Sequence, residues 1–267
     1  LKLIIVLLAI MHSPMLFGQQ DVIHIDENGK SISANVFKTK ISSSIYHGVR
    51  YDTDSLVLQE IKYNYRFGKL LPNAKKQLFQ LLSLRHQIDT TRILMIHYID
   101  TLRAVSEFPK KSSTILYDSL NQEIKSVQKT ITYPLGGVKI DLSNNQKVYK
   151  QEHVLNYRDF INSYKRCYRR YRKYKQVSVF HFYDYNNGHP NELKKLKWFQ
   201  DYGGVLKKLF FNEKSRGYNV IIKPSGEFFI EYRENHITFD DLINSKKWNE
   251  MKINFDKEIK VLNNYRN

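Results

Sequence analysis

VSVFHFYDYNNGHP, residues 177–190, sets the architecture. With Gln176 before it, the run to Asp184 is almost continuously apolar and rich in β-branched and aromatic side chains, the pattern of a strand covered on both faces. Asn187-Gly188-His189-Pro190 ends it, since glycine and proline break a regular path. A strand hidden on both sides needs helices packed on it, and the flanks supply them. Tyr157 to Tyr174 reads as a helix before the strand, and Asn191 to Phe211 as one after it, interrupted at Gly203-Gly204. Tyr218 to Lys223 and Glu227 to Tyr232 flank Pro224-Ser225-Gly226 and predict an antiparallel hairpin. Thr238 to Leu262 reads as a closing helix, with Thr238 and Asp241 resembling a capping box and Trp248, Met251, Phe255, Ile259 and Leu262 forming a core-facing stripe. The order is α, β, α, β, β, α.

Upstream, Val22 to Asp26 and Lys30 to Phe37 predict a hairpin around Gly29, and Tyr51 to Ile61 a further strand. Pro72 opens a helix with Ala74, Leu78, Leu81 and Leu82 on one stripe. Arg92 to Asp100 (RILMIHYID) reads as a second doubly covered strand, and Ser112 to Lys129 as a helix with Leu116, Leu120, Ile124 and Val127 on one face. Glycine and proline gather at 133–137, so a boundary is expected between about 133 and 150. The expected class is mixed α/β (α+β): a smaller N-terminal α/β region at 21–145 and a second unit at 150–267. MIHYID and VFHFYD both carry a histidine three residues before an acid. Two instances do not make a repeat.

The order of elements over 150–267 resembles the thioredoxin fold. Val177 to Pro190 looks like that family's central strand running into its active-site loop, and Tyr218 to Ile230 (YNVIIKPSGEFFI) like its terminal hairpin. The departures concern the chemistry. Where the family carries two cysteines separated by two residues, this chain has Asn187-Gly188-His189-Pro190, and near the family's cis-proline it has Tyr218 and Asn219. Thiol-disulfide exchange needs an attacking thiolate and a resolving partner. The resemblance therefore implies the scaffold without the redox activity.

Cysteine use agrees, because Cys167 is the only one in the chain and excludes an internal disulfide, a thiol redox pair and a cysteine-rich zinc site. It is expected to be a small buried residue on the apolar side of its helix. No phosphate loop, nucleophile elbow, zinc-protease or EF-hand pattern occurs, so no cofactor or metal is expected. The local candidates for ligand binding are Asp184, Asn187, His189 and Tyr218, at the carboxyl end of a strand and beside it, where α/β sheets gather ligands. His181 joins Asp184 and His189 as a set suited to metal or acid-base work, yet His181 and Asp184 point to opposite faces if the strand runs through both.

Residues 164–175 (YKRCYRRYRKYK) hold seven cations and four tyrosines. On a helix Tyr164, Tyr168 and Tyr171 form one stripe, and Lys165, Arg166, Arg169, Arg170, Arg172 and Lys173 cover the rest. That is either a solvated basic face or an anion-binding surface. The formal charge of +17, from 43 lysines and arginines against 26 acids, makes anionic partners relevant. Lys2, the apolar Leu3 to Met11 and the more polar His12 to Gln20 have the layout of a secretory signal peptide over 1–20. The apolar run is shorter than the roughly 20 residues a membrane span needs, and no later stretch approaches that length. This start, in a Lys-, Asn- and Tyr-rich chain, resembles exported proteins of the Bacteroidetes group of bacteria. Export to the periplasm or beyond argues against nucleic acid and toward lipopolysaccharide, acidic glycans or a protein partner. The expected function is an exported, non-catalytic binding or assembly protein that contacts anions through the basic helix. The alternative is a metal-dependent or acid-base enzyme centred on Asp184 and His189.

Overall fold

A computed structural model describes residues 21–53, 55–117, 129–132, 138–141, 150–188, 196, 198–211, 218–232 and 237–265. The signal-peptide reading at 1–20, the glycine-proline cluster at 133–137 and His189 lie outside the described residues. The chain is mixed α/β and packs as two units, Leu1–Gly68 with Phe229–Asn267, and Lys69–Phe228.

The chain opens with β1 (Asp21–Ile25) and β2 (Ser31–Ile32), followed by helix α1 (Ala34–Ile41). The strand expected through Phe37 gives way to this helix because Ser33 caps it, its side chain accepting from Val36 N. β3 (Tyr46–Asp52) and β4 (Leu56–Tyr63) follow. Tyr51 to Ile61, read as one strand, is instead divided by a turn in which Thr53 Oγ1 accepts from Leu56 N at 3.1 Å. The four strands form a sheet in the order β2-β1-β4-β3, with β1 parallel to β4. Gly48 lets α1 lie close on β3, since a Cβ there would stand 2.9 Å from the Phe37 ring.

Then come β5 (Tyr65–Lys69), α2 (Pro72–His86), β6 (Ile93–Leu102) and a short 3-10 turn at Val105–Glu107. Residues 113–117, expected to start a helix, form β7 (Ser113–Tyr117). β8 (Lys129–Thr132) and β9 (Val138–Asp141) pair with each other, and β10 (Lys150–Val154) pairs antiparallel with β7 along five rungs. The β-branched Thr114 and Ile115 fit that ladder better than a helix interior. Helix α3 (Tyr157–Arg172) is capped by Asn156, which accepts from Asp159 N at 2.9 Å. β11 (Val177–Asn186) matches its reading.

Of the helix expected over 191–211, residues 191–195 and 197 lie outside the described residues, and the rest holds a strand and a shorter helix: β12 (Trp198–Gln200), a 3-10 turn at Tyr202–Gly204 and α4 (Val205–Phe210). Trp198 and Phe199 extend the sheet, while buried Asp201 restarts the helix by accepting from Leu206 N and Lys207 N. β13 (Tyr218–Ile222) and β14 (Glu227–Glu231) flank the predicted turn, where Gly226 supplies φ 87°. The closing helix is divided at Asn244 into α5 (Phe239–Ile243) and α6 (Ser245–Asn264), and α6 buries Trp248, Phe255 and Leu262 from the predicted stripe.

A six-stranded mixed sheet runs β12-β11-β6-β13-β14-β5. β6 is parallel to β11 and antiparallel to β13, so the strands of 150–267 share their sheet with a strand from 93–102. Among the described residues no helix is long and apolar enough to cross a membrane.

Candidate functional site

The sheet register brings four side chains into one row: Trp198 of β12 opposite His181 of β11, His181 opposite His97 of β6, and His97 opposite Asn219 of β13. Alternation along each strand puts all four on the face that α3 covers. His97 and His181 stack with ring centroids 5.0 Å apart, as do His181 and Trp198, and Tyr164 of α3 stands edge-on to His181 at 5.0 Å. His97 Nδ1 meets Asn219 Oδ1, and His97 Nε2 lies 3.0 Å from Cys167 Sγ. With the amide oxygen accepting, Nδ1 carries the proton and Nε2 accepts from the thiol.

The row superficially resembles a Cys-His-Asn nucleophile, but its electrostatics are those of a resting thiol. Burial pushes the Cys167 thiol up to about 11, against the partial pull of Arg170. Burial holds His97 below its ordinary value and, with the neighbouring His97, takes His181 down to about 3. At neutral pH roughly one thiol in ten thousand is ionised, far from the thiolate a cysteine nucleophile needs. Thiol and imidazoles are neutral together, and the row acts as a polar layer locking α3 onto the sheet. His181 Nδ1 donates to Leu196 O at 3.0 Å, which fixes its tautomer.

Asp184 lies on the opposite face of β11, since the strand runs unbroken from Val177 to Asn186. His181 and Asp184 therefore do not converge. Asp184 instead accepts from Lys207 Nζ of α4 at 2.8 Å, and Lys207 stands 3.4 Å from Asp100 of β6. Asn187 ties the strand end to the chain beyond β6, its N–H donating to Leu102 O at 2.9 Å and its side-chain amide to Glu107. Tyr218 is opposite Tyr98 in the β13–β6 ladder. Among the described residues no group of three His, Cys, Asp or Glu is placed to hold a metal ion.

The basic helix is organised as its sequence predicts. Ile161 and Tyr171 are buried, Tyr164 and Cys167 face the sheet, and Lys165, Arg166, Arg169, Arg170, Arg172 and Lys173 are exposed. The guanidinium of Arg170 lies 5.4 Å from the Tyr171 ring centre, and the Lys173 ammonium 4.9 Å from that of Tyr174. Where α3 ends, a cavity of about 260 Å³ is lined by Arg92, Arg172, Lys175, Tyr168 and Tyr174 together with the start of β11.

Sequence reasoning found the basic face but missed the row through His97, because partners 70 and 122 residues away are joined only by sheet register. The available signal was the likeness of MIHYID to VFHFYD. Two such strands laid parallel and in phase set their histidines side by side, and β6 and β11 do so. No protein-family model, no curated protein and no solved structure matches the chain.

Proposed function

We propose that this chain is an exported, non-catalytic binding protein that captures a polyanionic glycan or lipopolysaccharide through the basic face of α3, on a thioredoxin-like framework without redox sulfurs. The framework reading draws support from two parallel strands, β6 and β11, with α3 between them in sequence, and from β13, which lies antiparallel on the other side of β6. In this reading the central strand is β6 rather than the run from Val177, because β6 lies between a parallel strand, β11, and an antiparallel one, β13, whereas β11 lies between two parallel strands, β12 and β6. Export rests on the pattern of residues 1–20.

One observation carries the functional reading: α3 is anchored by its tyrosines and Ile161 while six cations stand exposed along it and its cap, beside a cavity that one of them, Arg172, lines together with two further cations, Arg92 and Lys175. Guanidinium groups pair bidentately with sulfate and phosphate oxygens, and flanking tyrosines add donors and a flat apolar surface for sugar rings. Helix geometry holds these cations in a fixed array, which suits a repeating polyanion better than a single small ion. The test is retention of the full chain on immobilised heparin under a salt gradient. Late elution, with affinity falling linearly against the logarithm of salt, is expected. Passage unretained at low salt, or retention indifferent to salt, would remove the proposal.

A further inference from the structure

A second cavity, of about 530 Å³, opens at the carboxyl end of β6 and is lined by the last residues of β6, the end of β10 and the start of α3. Its volume is within the range of roughly 300–1,000 Å³ typical of small-molecule sites. Its position, outside the carboxyl end of a central strand of the sheet, is where α/β sheets gather ligands. We propose that this cleft binds a free α-amino acid with an apolar side chain.

The lining supplies what each part of such a ligand needs. Phe108 and Phe160, with ring centroids 5.1 Å apart, form an aromatic wall that Val154 and Leu155 continue. Tyr157 braces that wall from behind, 5.5 Å from Phe108. Arg103 is exposed and its guanidinium sits 5.3 Å from the Phe108 ring centre, so the planar fork is steadied at the edge of the apolar surface where a carboxylate would lie. Glu152 is the acidic lining group on this side, whereas Asp100, three residues after His97 on an unbroken strand, turns its carboxylate to the opposite face beside Lys207. Charge balance then selects the ligand class. A simple anion would gain Arg103 but face Glu152, and a simple cation would gain Glu152 but face Arg103. A zwitterion meets both signs at once, with its side chain on the phenylalanines.

This site is distinct from the basic face, sharing with α3 only Phe160 near the helix start. Calorimetric titration of the full chain with L-phenylalanine and L-leucine, and with N-acetyl-L-phenylalanine and L-phenylalanine amide, tests it directly. Each capped compound should bind at least about tenfold more weakly than L-phenylalanine, because each loses one charge-assisted contact. Arg103→Gln should weaken L-phenylalanine by a similar factor, change the amide little, and leave the thermal midpoint and heparin retention unaltered. No binding of either amino acid at millimolar concentration, equal binding of a capped form, or indifference to Arg103→Gln would each overturn the proposal.

Discussion

Cys167 is a thiol whose surroundings oppose its ionisation, and this has a direct kinetic consequence. Its reaction with iodoacetamide should be slow at pH 7 and rise about tenfold per pH unit toward about 11. A rate that levels off below pH 9 would mean that Arg170 outweighs burial. The stacked histidines give an acid limb to stability. His181 is held near 3 against an ordinary value of 6.5, so between those values the unfolded chain takes up a proton that the folded chain refuses. The contribution is whole above pH 6.5 and is lost as pH falls toward 3. His181→Phe should flatten that limb in urea titrations followed across pH, whereas an unchanged slope would show that other groups dominate. Lys40 belongs to the same class of buried polar contact in the other unit. It is fully buried, pairs with Glu27 at 2.6 Å, and Glu27 also accepts from Tyr46 Oη at 3.2 Å. Glu27→Gln should cost about 3–5 kcal/mol by leaving a buried ammonium without its counter-charge, while the double variant Lys40→Met with Glu27→Leu should recover most of that loss.

Among the elements, those covered on two faces or bearing a full helical stripe were legible in the sequence. β6, β11, α2 and α3 have boundaries close to those their patterns predict, since burial dictates composition along their whole length. Misread segments were short, and their apolar residues fit either period. Ser113–Tyr117 carries Ile115 and Leu116, which suit a helix until the ladder with β10 is available, and Trp198–Gln200 is a strand only because β11 offers an edge. Such segments are decided by partners distant in sequence. The basic helix was visible because its two faces differ in residue type, whereas the cleft beyond β6 was not, because its lining is drawn from three separate stretches. At the β13–β14 turn, Gly226→Ala should lower stability by about 1–2 kcal/mol through the left-handed backbone alone. Its added Cβ would also stand 3.0 Å from Lys75 Cδ. Denaturation midpoints would register the change, and a neutral result would mean that the turn relaxes.

For the molecule as a whole, the formal charge of +17 alone would make the chain adhere to polyanions, so binding that is merely diffuse must be separated from binding organised by α3. Two variants of equal charge make that separation. One carries Arg166→Gln, Arg169→Gln and Arg170→Gln on α3, and the other Lys246→Gln, Lys257→Gln and Lys260→Gln on α6, all six positions being exposed. Their elution from heparin, measured side by side with the parent, is the most direct test of anion capture by the basic helix. The α3 variant should elute at markedly lower salt, with the slope of log affinity against log salt reduced by roughly two to three, while the α6 variant stays near the parent. Equal shifts for both would contradict a localised site and leave only net charge.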